Sequence, residues 1–447
     1  MSALIISYSG LRGIAGESLT EGVAERYGAA FGQMIVEPER KPTVLVARDT
    51  RPSGPALMRG LLRGLAPYAT LVDLGVAATP TLQHAIGSLV ADAGVCVTAS
   101  HNPSQWNGLK LFLGTPSVVL GGDDMKRLTQ LAERAVENPH APAPPVTDRH
   151  EAAIERHIAA VLAAVDVVKI KERRFRVAVD SAGGAGDILA QRLLARLGCH
   201  VVRVEAGRES EPIPANLRAL ADAVAAEKCD LGFAQDLDAD RLALATEWGD
   251  LPGEDSTLVL TVDHLLRRHA SGDRVVVKNV ATTRAIDDIA AAHGAALVET
   301  KVGEINLSRA LISATDAGKI AFGGEGNGGV IYPKILYGRD SAIGMALVLE
   351  ALATENEPLS KRLQALPQYH MVKTKMPLGS DLRALLARVE ALFEGAAADR
   401  SDGLKLRFTD GAWIVVRASN TEPVVRVIVE AKDKGWAERA VARILAL

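Results

Sequence analysis

The chain of 447 residues is long enough for three or four domains, because single hydrophobic cores stop growing at about 250–300 residues. Its formal net charge of -3 gives no global basic field for nucleic acid and argues against large polyanionic partners. The sequence lacks both a stretch near the ~20 apolar residues of a membrane span and the basic region of a signal peptide. We therefore expect a soluble, cytoplasmic protein with neither nucleic acid nor a membrane as a partner.

One layout of alternating apolar strands and helices occurs three times along the chain, and each time a polar loop follows the last strand. The predicted strands lie at 43–47, 69–74 and 93–97, then at 176–179, 200–204 and 231–234, and then at 274–277, 296–299 and just before Gly324. In open α/β sheets, ligands bind beyond the carboxyl ends of the strands. The three end loops carry a serine–histidine pair, an acidic triplet and a glycine-rich glutamate loop, so we expect one composite site.

The tail from Gln368 has a different plan. After a strand and a helix at 381–393, it has three strands joined by short turns and a final helix; these strands are predicted at 404–408, 413–417 and 424–430. Short turns between consecutive strands predict an antiparallel sheet, and therefore an α+β unit. Proline cannot continue a helix or a central strand, so the proline-rich run at 138–145 marks the boundary after the first repeat.

The acidic triplet consists of Asp236, Asp238 and Asp240. In an extended backbone, alternate side chains share a face, so the three carboxylates are expected to converge on a cation. An all-oxygen site with few ligands suits Mg²⁺. A calcium-binding EF-hand is an alternative, with Glu247 at the twelfth position, but Arg241 stands where the turn glycine is required. A solvated acidic turn is the other alternative, although an apolar strand leads into it.

Ser100 directly follows a strand that is expected to be buried. No GxSxG elbow surrounds it, and its neighbour His101 does not complete a hydrolase triad. The alternative is an ordinary structural turn, but a serine can carry a phosphoryl group where a metal neutralises the phosphate. Lys110 lies just beyond on the same loop, where it is either functional or merely solvated. Arg12 lies between glycines that let the backbone approach a ligand, or else in a plain surface turn.

Two further loops carry groups suited to sugars and phosphates. Five of the seven residues at 323–329 are glycine, so this segment is either a flexible turn or a loop in which Glu325 and Asn327 bind sugar hydroxyls. Residues 417–421 concentrate a guanidinium, two hydroxyls and an amide, and Arg426 follows. Such a density of donors suits a phosphate group, which arginine can grip bidentately, while a capped polar turn is the alternative.

Together these motifs resemble the α-D-phosphohexomutase family, in order, from Ser9 to Arg426. The resemblance implies three similar α/β domains with mixed sheets plus a smaller α+β C-terminal domain around a central cleft. It implies that Ser100 carries phosphate and binds Mg²⁺ with Asp236, Asp238 and Asp240. The implied catalytic residues are Arg12, Ser100, His101, Lys110 and Arg241, and the implied substrate-binding residues are Lys301, Gly303, Glu325, Asn327, Arg417, Ser419, Asn420, Thr421 and Arg426.

We expect these domains at residues 1–147, 148–248, 249–366 and 367–447. In chain order they carry the phosphoserine loop at 98–103 (the serine loop), the metal loop at 236–241, the sugar loop at 324–329 and the phosphate clamp at 417–421. The resemblance implies reversible phosphate transfer between the 1- and 6-positions of a hexose through a hexose 1,6-bisphosphate. We favour glucosamine phosphate, with mannose or glucose phosphate as the alternative. A metal-dependent phosphatase and a non-catalytic sugar-phosphate binder are the alternative functions to a mutase. Either a monomer or a homodimer is compatible with the sequence.

Overall fold

A computed structural model of the protein describes residues 4–7, 10–138, 140–205, 207–379, 381–419 and 424–447. Two residues of the predicted phosphate clamp, Asn420 and Thr421, lie outside these described residues. None of the described helices combines the length and the apolar character needed to cross a bilayer.

The first domain is built on an eight-stranded mixed sheet, whose strands are ordered β1-β2-β6-β5-β3-β4-β8, with β7 paired to β6. Its elements, with the two helices that follow it, are β1 (Ile5–Ser7), β2 (Gly10–Ile14), α1 (Glu21–Ile35), β3 (Thr43–Arg48), α2 (Gly54–Leu65), β4 (Thr70–Val76), α3 (Thr79–Ser88), β5 (Ala93–Val97), β6 (Trp106–Leu113), β7 (Val118–Val119), α4 (Gly122–Arg134), β8 (Thr147–Asp148), α5 (His150–Ala164) and α6 (Val167–Arg173). The central strand β5 and residues 44–47 of β3 are apolar because helices cover both faces of the sheet.

The second domain has a four-stranded sheet ordered β10-β9-β11-β12, in which the last strand is antiparallel to its neighbour. Its elements are β9 (Arg176–Asp180), α7 (Asp187–Arg196), β10 (His200–Arg203), a short 3₁₀ turn (Pro214–Asn216), α8 (Arg218–Ala226), β11 (Leu231–Gln235) and β12 (Leu242–Thr246).

The third domain repeats the same sheet, ordered β14-β13-β15-β16, again with one antiparallel strand at the end. Its elements are α9 (Ser256–Arg268), β13 (Arg274–Asn279), α10 (Ala285–Ala292), β14 (Ala296–Thr300), α11 (Glu304–Asp316), β15 (Ile320–Glu325), β16 (Gly329–Ile331), α12 (Ser341–Glu355) and α13 (Leu359–Gln364). The first domain contains this order too, as β4-β3-β5-β6, so the predicted threefold layout is confirmed.

The C-terminal domain has a five-stranded antiparallel sheet ordered β17-β21-β20-β19-β18. Its elements are β17 (His370–Pro377), α14 (Leu382–Leu392), β18 (Ala397–Asp399), β19 (Leu404–Arg407), β20 (Trp413–Ala418), β21 (Val424–Ala431) and α15 (Lys434–Leu445). This sheet has its own apolar core, formed with both helices. The predicted fold class, three mixed-sheet α/β domains and a smaller antiparallel one, is thereby confirmed.

Helix α12 joins the second and third domains through one continuous core. Thirteen of its fifteen residues are buried, which explains why its sequence is apolar on every side. Asp340 caps its first turn by accepting a hydrogen bond from the backbone N–H of Ala342 at 2.8 Å. The start of this buried helix therefore fixes the preceding residue, Arg339, at the end of the loop that leads into it.

Candidate active site

Ser100 lies three residues beyond the end of β5, where the backbone turns sharply. Its φ of +52° is in the left-handed region, which a non-glycine residue adopts only when the surroundings hold it there. The hydroxyl of Thr98 accepts a hydrogen bond from the backbone N–H of Ser100 at 2.8 Å. Ser100 is only 1% exposed, and its Oγ donates to Oδ2 of Asp236 at 2.7 Å. The serine predicted in the first repeat thus touches the acidic triplet of the second.

The backbone of the serine loop is held by the side chain of Arg51, a residue that the sequence did not reveal. Its guanidinium donates to the carbonyl oxygens of Ser100 at 2.8 Å and of Asn102 at 2.6 Å, and also to those of Pro103 and Trp106. Asp49 pairs with Arg51 at 3.1 Å, and both side chains are buried. Both residues directly follow β3, so their position beyond a strand end was the signal that could have revealed them.

The acidic triplet follows β11 and lies in a tight turn, with Ala239 at a φ of +57°. The expectation of an extended backbone was therefore wrong: the turn, and not the alternation of a strand, brings the carboxylates together. One oxygen from each of Asp236, Asp238 and Asp240 lies within 4.8 Å of the others. All three residues are at most 1% exposed, which excludes a solvated acidic turn, and the flanking strands exclude an EF-hand.

Lys110, on β6, reaches two members of the triplet. Its Nζ lies 2.5 Å from Oδ2 of Asp238 and 2.7 Å from Oδ2 of Asp240. Burial opposes the charge of Lys110, but the two carboxylates outweigh this effect and raise its pKa. Burial also acts on Asp238, yet the ammonium of Lys110 lowers the pKa of that carboxyl. Burial, with the neighbouring charges of Asp238 and Asp240, raises the pKa of Asp236 well above its ordinary range.

These carboxylates fit a divalent cation. Oδ1 of Asp238 and Oδ1 of Asp240 are buried and have no hydrogen-bond partner within the described part of the chain, because both contacts to Lys110 use the Oδ2 atoms. An orphaned buried carboxylate oxygen is unfavourable unless a cation or a donor reaches it. The raised pKa of Asp236 also comes from the burial of three carboxylates close together. Hard oxygen ligands of this kind are those that Mg²⁺ and Ca²⁺ prefer.

Three more predicted residues surround Ser100. Arg12 is buried, and its guanidinium donates to the side-chain oxygen of Asn102; burial lowers the pKa of Arg12 to about 10, which leaves it charged at neutral pH. Nδ1 of His101 accepts a hydrogen bond from Arg241 at 2.8 Å and lies 3.5 Å from Oγ of Ser100. Burial, together with the charge of Arg241, lowers the pKa of His101 well below its ordinary value, so its ring is neutral.

Arg339, which the sequence analysis also missed, joins the metal loop to the sugar loop. Its guanidinium contacts Oδ2 of Asp240 at 2.6 Å, Oε2 of Glu304 at 2.9 Å and Oε2 of Glu325 at 3.0 Å. Nothing in its local sequence distinguishes it from other arginines except its position before the N-cap of α12. A single guanidinium therefore lies against three carboxylates from two domains.

The predicted sugar loop is more rigid than a flexible glycine turn. Glu325 is the last residue of β15, and its Oε1 accepts a hydrogen bond from the side chain of Asn279 at 2.9 Å. A Cβ on Gly323 would lie 1.8 Å from the carbonyl oxygen of Val277, so this glycine is required by close strand packing. Asn327 points its Nδ2 at Oε2 of Glu325, 3.4 Å away.

The C-terminal domain brings the remaining predicted residues towards this loop. The carboxylate of Asp402 accepts from Nε of Arg417 at 3.1 Å and from the backbone N–H of Val302 at 2.8 Å, which ties the clamp to the loop carrying Lys301 and Gly303. The N–H of Gly303 points at Oε1 of Glu325 at 3.4 Å, whereas Lys301 is exposed.

Arg426 lies directly across the sheet from Arg417, and its Nε donates to the hydroxyl of Ser419 at 3.4 Å. The charge of Arg426 also contributes to the lowered pKa of His101. Arg417 and Arg426 therefore lie side by side on the sheet, as a clamp requires.

Comparison with known proteins agrees with this geometry. The family described as phosphoglucomutase/phosphomannomutase matches in four parts: alpha/beta/alpha domain I at residues 4–137, domain II at 155–249, domain III at 253–369 and the C-terminal domain at 371–447. A phosphoglucomutase/phosphomannomutase of Thermococcus kodakarensis is 38% identical over 95% of this chain and 94% of its own length. A phosphoglucosamine/phosphogalactosamine mutase of Sulfurisphaera tokodaii is 30% identical over 97% of this chain and 96% of its own.

Among solved structures, a phosphoglucomutase/phosphomannomutase family protein from Burkholderia thailandensis superposes with a TM-score of 0.82 at 27% identity, covering 99% of this chain and 98% of its own. The chain belongs to the α-D-phosphohexomutase family, as its motifs indicated. It is accordingly a mutase, an isomerase of the phosphohexomutase class, in a family of metal-dependent phosphotransferases.

Proposed function

We propose that the chain interconverts hexose 1-phosphate and hexose 6-phosphate, with Ser100 as the carrier of the phosphoryl group. The observation that carries this proposal is the 2.7 Å hydrogen bond from Oγ of Ser100 to Asp236. Beside it lie two carboxylate oxygens that accept no hydrogen bond from any residue that the structure describes. A phosphate on this hydroxyl would lie at the acidic loop, where a cation can neutralise it. Membership of a mutase family disfavours both rival classes, the phosphatase and the non-catalytic binder.

In the first half of the reaction, the free hydroxyl oxygen of the bound hexose phosphate forms a bond to the phosphorus of phospho-Ser100. The bond from phosphorus to Oγ of Ser100 breaks, the sugar hydroxyl loses its proton and one proton returns to the serine oxygen. The resulting 1,6-bisphosphate turns around in the cleft, and its other phosphoryl group returns to Ser100. We assign acceptance of the sugar proton to the neutral ring of His101, and donation of a proton to the serine oxygen to the ammonium of Lys110.

We propose Mg²⁺ as the metal, held by Asp236, Asp238, Asp240 and the phosphate on Ser100. When bound, this ion would supply the positive charge that stabilises the transferring phosphoryl group. The protein itself supplies further charge, because Arg12 and Arg241 are buried beside the serine loop. These guanidiniums are preorganised donors, and they need no rearrangement when negative charge develops.

The other end of the substrate is assigned to the C-terminal domain. Arg417, Ser419, Asn420, Thr421 and Arg426 hold the phosphate that is not reacting, while Lys301 and Gly303 contact the sugar from the side. Arginine offers two parallel N–H groups to a phosphate, which suits a clamp that must accept the substrate in two orientations.

Among the hexoses we propose glucosamine phosphate. The guanidinium of Arg339 lies against Glu304 and Glu325 as well as Asp240, and burial raises the pKa of Glu304. Asp240 is also paired with Lys110, so on the sugar side two glutamates share one guanidinium, and a 2-ammonium group beside Glu325 would relieve this acidic excess. Glucose or mannose phosphate is the second candidate, favoured by the name of the relative at 38% identity.

The test is a primed mutase assay. The purified protein, Mg²⁺ and a catalytic amount of glucose 1,6-bisphosphate are incubated with the 1-phosphates of glucosamine, glucose and mannose, and each 6-phosphate is quantified. We expect conversion, with the highest kcat/KM for glucosamine 1-phosphate. Release of inorganic phosphate without any 6-phosphate would contradict the mutase proposal. A lower kcat/KM for glucosamine 1-phosphate than for both other sugars would contradict only the substrate.

A further inference from the structure

The peptide groups on both sides of Gly326, in the middle of the sugar loop, are held by side chains. The N–H of Gly326 donates to Oγ1 of Thr282 at 3.0 Å. Its carbonyl oxygen accepts from Nζ of Lys373 at 3.2 Å. On a third side, a Cβ on Gly326 would lie 2.2 Å from Oδ1 of Asp255, so a larger residue would displace this carboxylate. The backbone between Glu325 and Asn327 is therefore fixed from several directions.

Only one of these contacts comes from another domain. Thr282 and Asp255 belong to the third domain together with the loop, whereas Lys373 belongs to β17 of the C-terminal domain. Nζ of Lys373 also lies 2.9 Å from Oε2 of Glu254 and 3.6 Å from Oδ2 of Asp255. The ammonium thus joins the C-terminal sheet to the sugar loop and to the acidic pair beside it.

The same sheet carries the phosphate clamp. Lys373 lies two residues before Lys375, and Lys375 is the cross-strand partner of Arg426, which in turn is the partner of Arg417. Alternate residues of a strand and direct cross-strand partners share one face of a sheet. Lys373 and the clamp arginines therefore lie on one face of one hydrogen-bonded unit, and they move together.

We propose that Lys373 is a positioning residue that holds the sugar loop in register with the phosphate clamp. This inference rests on the proposed function, since it assigns Lys373 to the same substrate site. With the bond to Gly326 in place, the distance between the loop that reads the sugar and the clamp that grips the distal phosphate is set. In this proposal Lys373 itself contacts neither the sugar nor the distal phosphate of the substrate.

The alternative is that Lys373 merely helps to dock the C-terminal domain. Other contacts already do so: Oε1 of Glu430 accepts from the backbone N–H of Arg284 at 2.8 Å, and Lys405 pairs with Glu299 at 2.5 Å. The side chain of Lys373 is 37% exposed and borders a cavity of about 360 Å³. A partly exposed ion pair contributes little to stability, so its removal is expected to leave the fold intact.

The experiment measures binding by calorimetry in a Ser100→Ala parent with Mg²⁺ present. The ligands are inorganic phosphate and the 6-phosphates of glucosamine, glucose and mannose, of which the tightest is used for comparison. We expect Lys373→Met to lower the affinity for that hexose phosphate by about fivefold, which corresponds to the net contribution of one hydrogen bond. The affinity for inorganic phosphate is expected to stay within about twofold of the parent, because the clamp itself is intact.

Two variants serve as controls. Lys373→Arg keeps a charged donor and should bind the hexose phosphate almost as the parent does. Lys434→Met removes an exposed lysine of the same domain, which pairs with Glu438 at 3.9 Å, and should change nothing. If Lys373→Met fails to fold, Lys373→Gln replaces it, because glutamine is polar but too short to reach Gly326.

Unchanged hexose phosphate affinity in Lys373→Met would overturn the inference. Equal losses for hexose phosphate and inorganic phosphate would overturn it too, since they indicate a general effect of charge. A parent that binds none of the three hexose phosphates would instead contradict the proposed function, and the inference would fall with it.

Discussion

Replacing Arg51 by methionine tests whether the buried pair beneath the serine loop positions Ser100. Methionine keeps much of the length and apolar volume of the side chain but removes every donor. Four backbone carbonyl oxygens, those of Ser100, Asn102, Pro103 and Trp106, then lose the guanidinium as a donor. The hydroxyl of Ser210 still donates to the carbonyl of Ser100 at 2.9 Å, and the N–H of Trp106 still donates to that of Pro103 at 3.0 Å. Asp49 remains buried, with the hydroxyl of Thr98 and the backbone N–H of Arg51 as its remaining donors.

Removing one partner of a buried ion pair destabilises a protein by about 3–5 kcal/mol. At a urea dependence of ~2 kcal/mol per M, a loss of 4 kcal/mol lowers the unfolding midpoint of the first domain by about 2 M. Kcat should fall in the variant even where it is folded, because the carbonyl of Ser100 keeps the hydroxyl of Ser210 but loses the guanidinium, and the left-handed backbone at this residue relaxes.

The assay is urea unfolding followed by circular dichroism, with kcat measured well below the midpoint. Arg59→Met is the matched control: Arg59 pairs with Glu21 at 2.8 Å but is 60% exposed, so the loss should stay below about 1 kcal/mol. In the double variant Asp49→Asn with Arg51→Met, the loss should be smaller than the sum of the single losses. Equal midpoints for Arg51→Met and Arg59→Met, with unchanged kcat, would refute the reasoning.

Three further predictions follow from the same structure. Burial lowers the pKa of His84 to about 4, so between pH 6.5 and pH 4 the unfolded chain binds more protons than the folded one, and the free energy of unfolding decreases as the pH is lowered, by at most about 3 kcal/mol. His84→Leu should flatten this pH dependence when unfolding is measured from pH 7 to pH 4. An identical slope in both proteins would contradict the assignment. Arg417→Lys should raise KM for hexose phosphate about tenfold with little change in kcat, because lysine does not bind phosphate bidentately. An unchanged KM would show that Arg417 does not bind the substrate phosphate. Chelation should abolish activity, and added Mg²⁺ should restore it. Asp238→Asn should raise the Mg²⁺ concentration for half-maximal activity at least tenfold. Full activity in excess chelator would contradict the metal site.

The fold was largely predictable because its strands are short, apolar and evenly spaced. The strand at Ala93–Val97 has the predicted bounds, and the threefold layout reappears as one sheet order in three domains. The loops beyond the strand ends were predictable for the same reason, since the topology of parallel strands places those ends together. Ser100 and Asp236 are 136 residues apart in the chain, yet their side chains share a hydrogen bond.

The details that failed depend on backbone conformation. The spacing of Asp236, Asp238 and Asp240 suggested a strand, but Ala239 adopts a left-handed conformation that glycine favours, and the segment turns. The glycines around Glu325 left a flexible turn open as an alternative to a binding loop, and the structure shows that Gly323 is there because β13 approaches closely. Residue type alone does not distinguish a glycine needed for packing from one needed for a turn.

The residues that were missed act through partners far away in the sequence. Arg51 reaches carbonyl groups about fifty residues later, and Arg339 reaches Asp240, 99 residues earlier. Neither forms a local motif, and the chain has 51 lysines and arginines in all. Their roles become visible only when the three-dimensional fold places carboxylates or carbonyl groups around them.

The most direct test of the account is transfer of labelled phosphate to the protein. The protein is incubated with Mg²⁺ and glucose 1,6-bisphosphate carrying a ³²P label, digested, and the labelled peptide identified by mass spectrometry. We predict label on Ser100 in the wild type, none in Ser100→Ala and much less in Asp236→Asn. Label on a different residue, or equal labelling of the wild type and Ser100→Ala, would contradict the central claim that this hydroxyl carries the phosphoryl group.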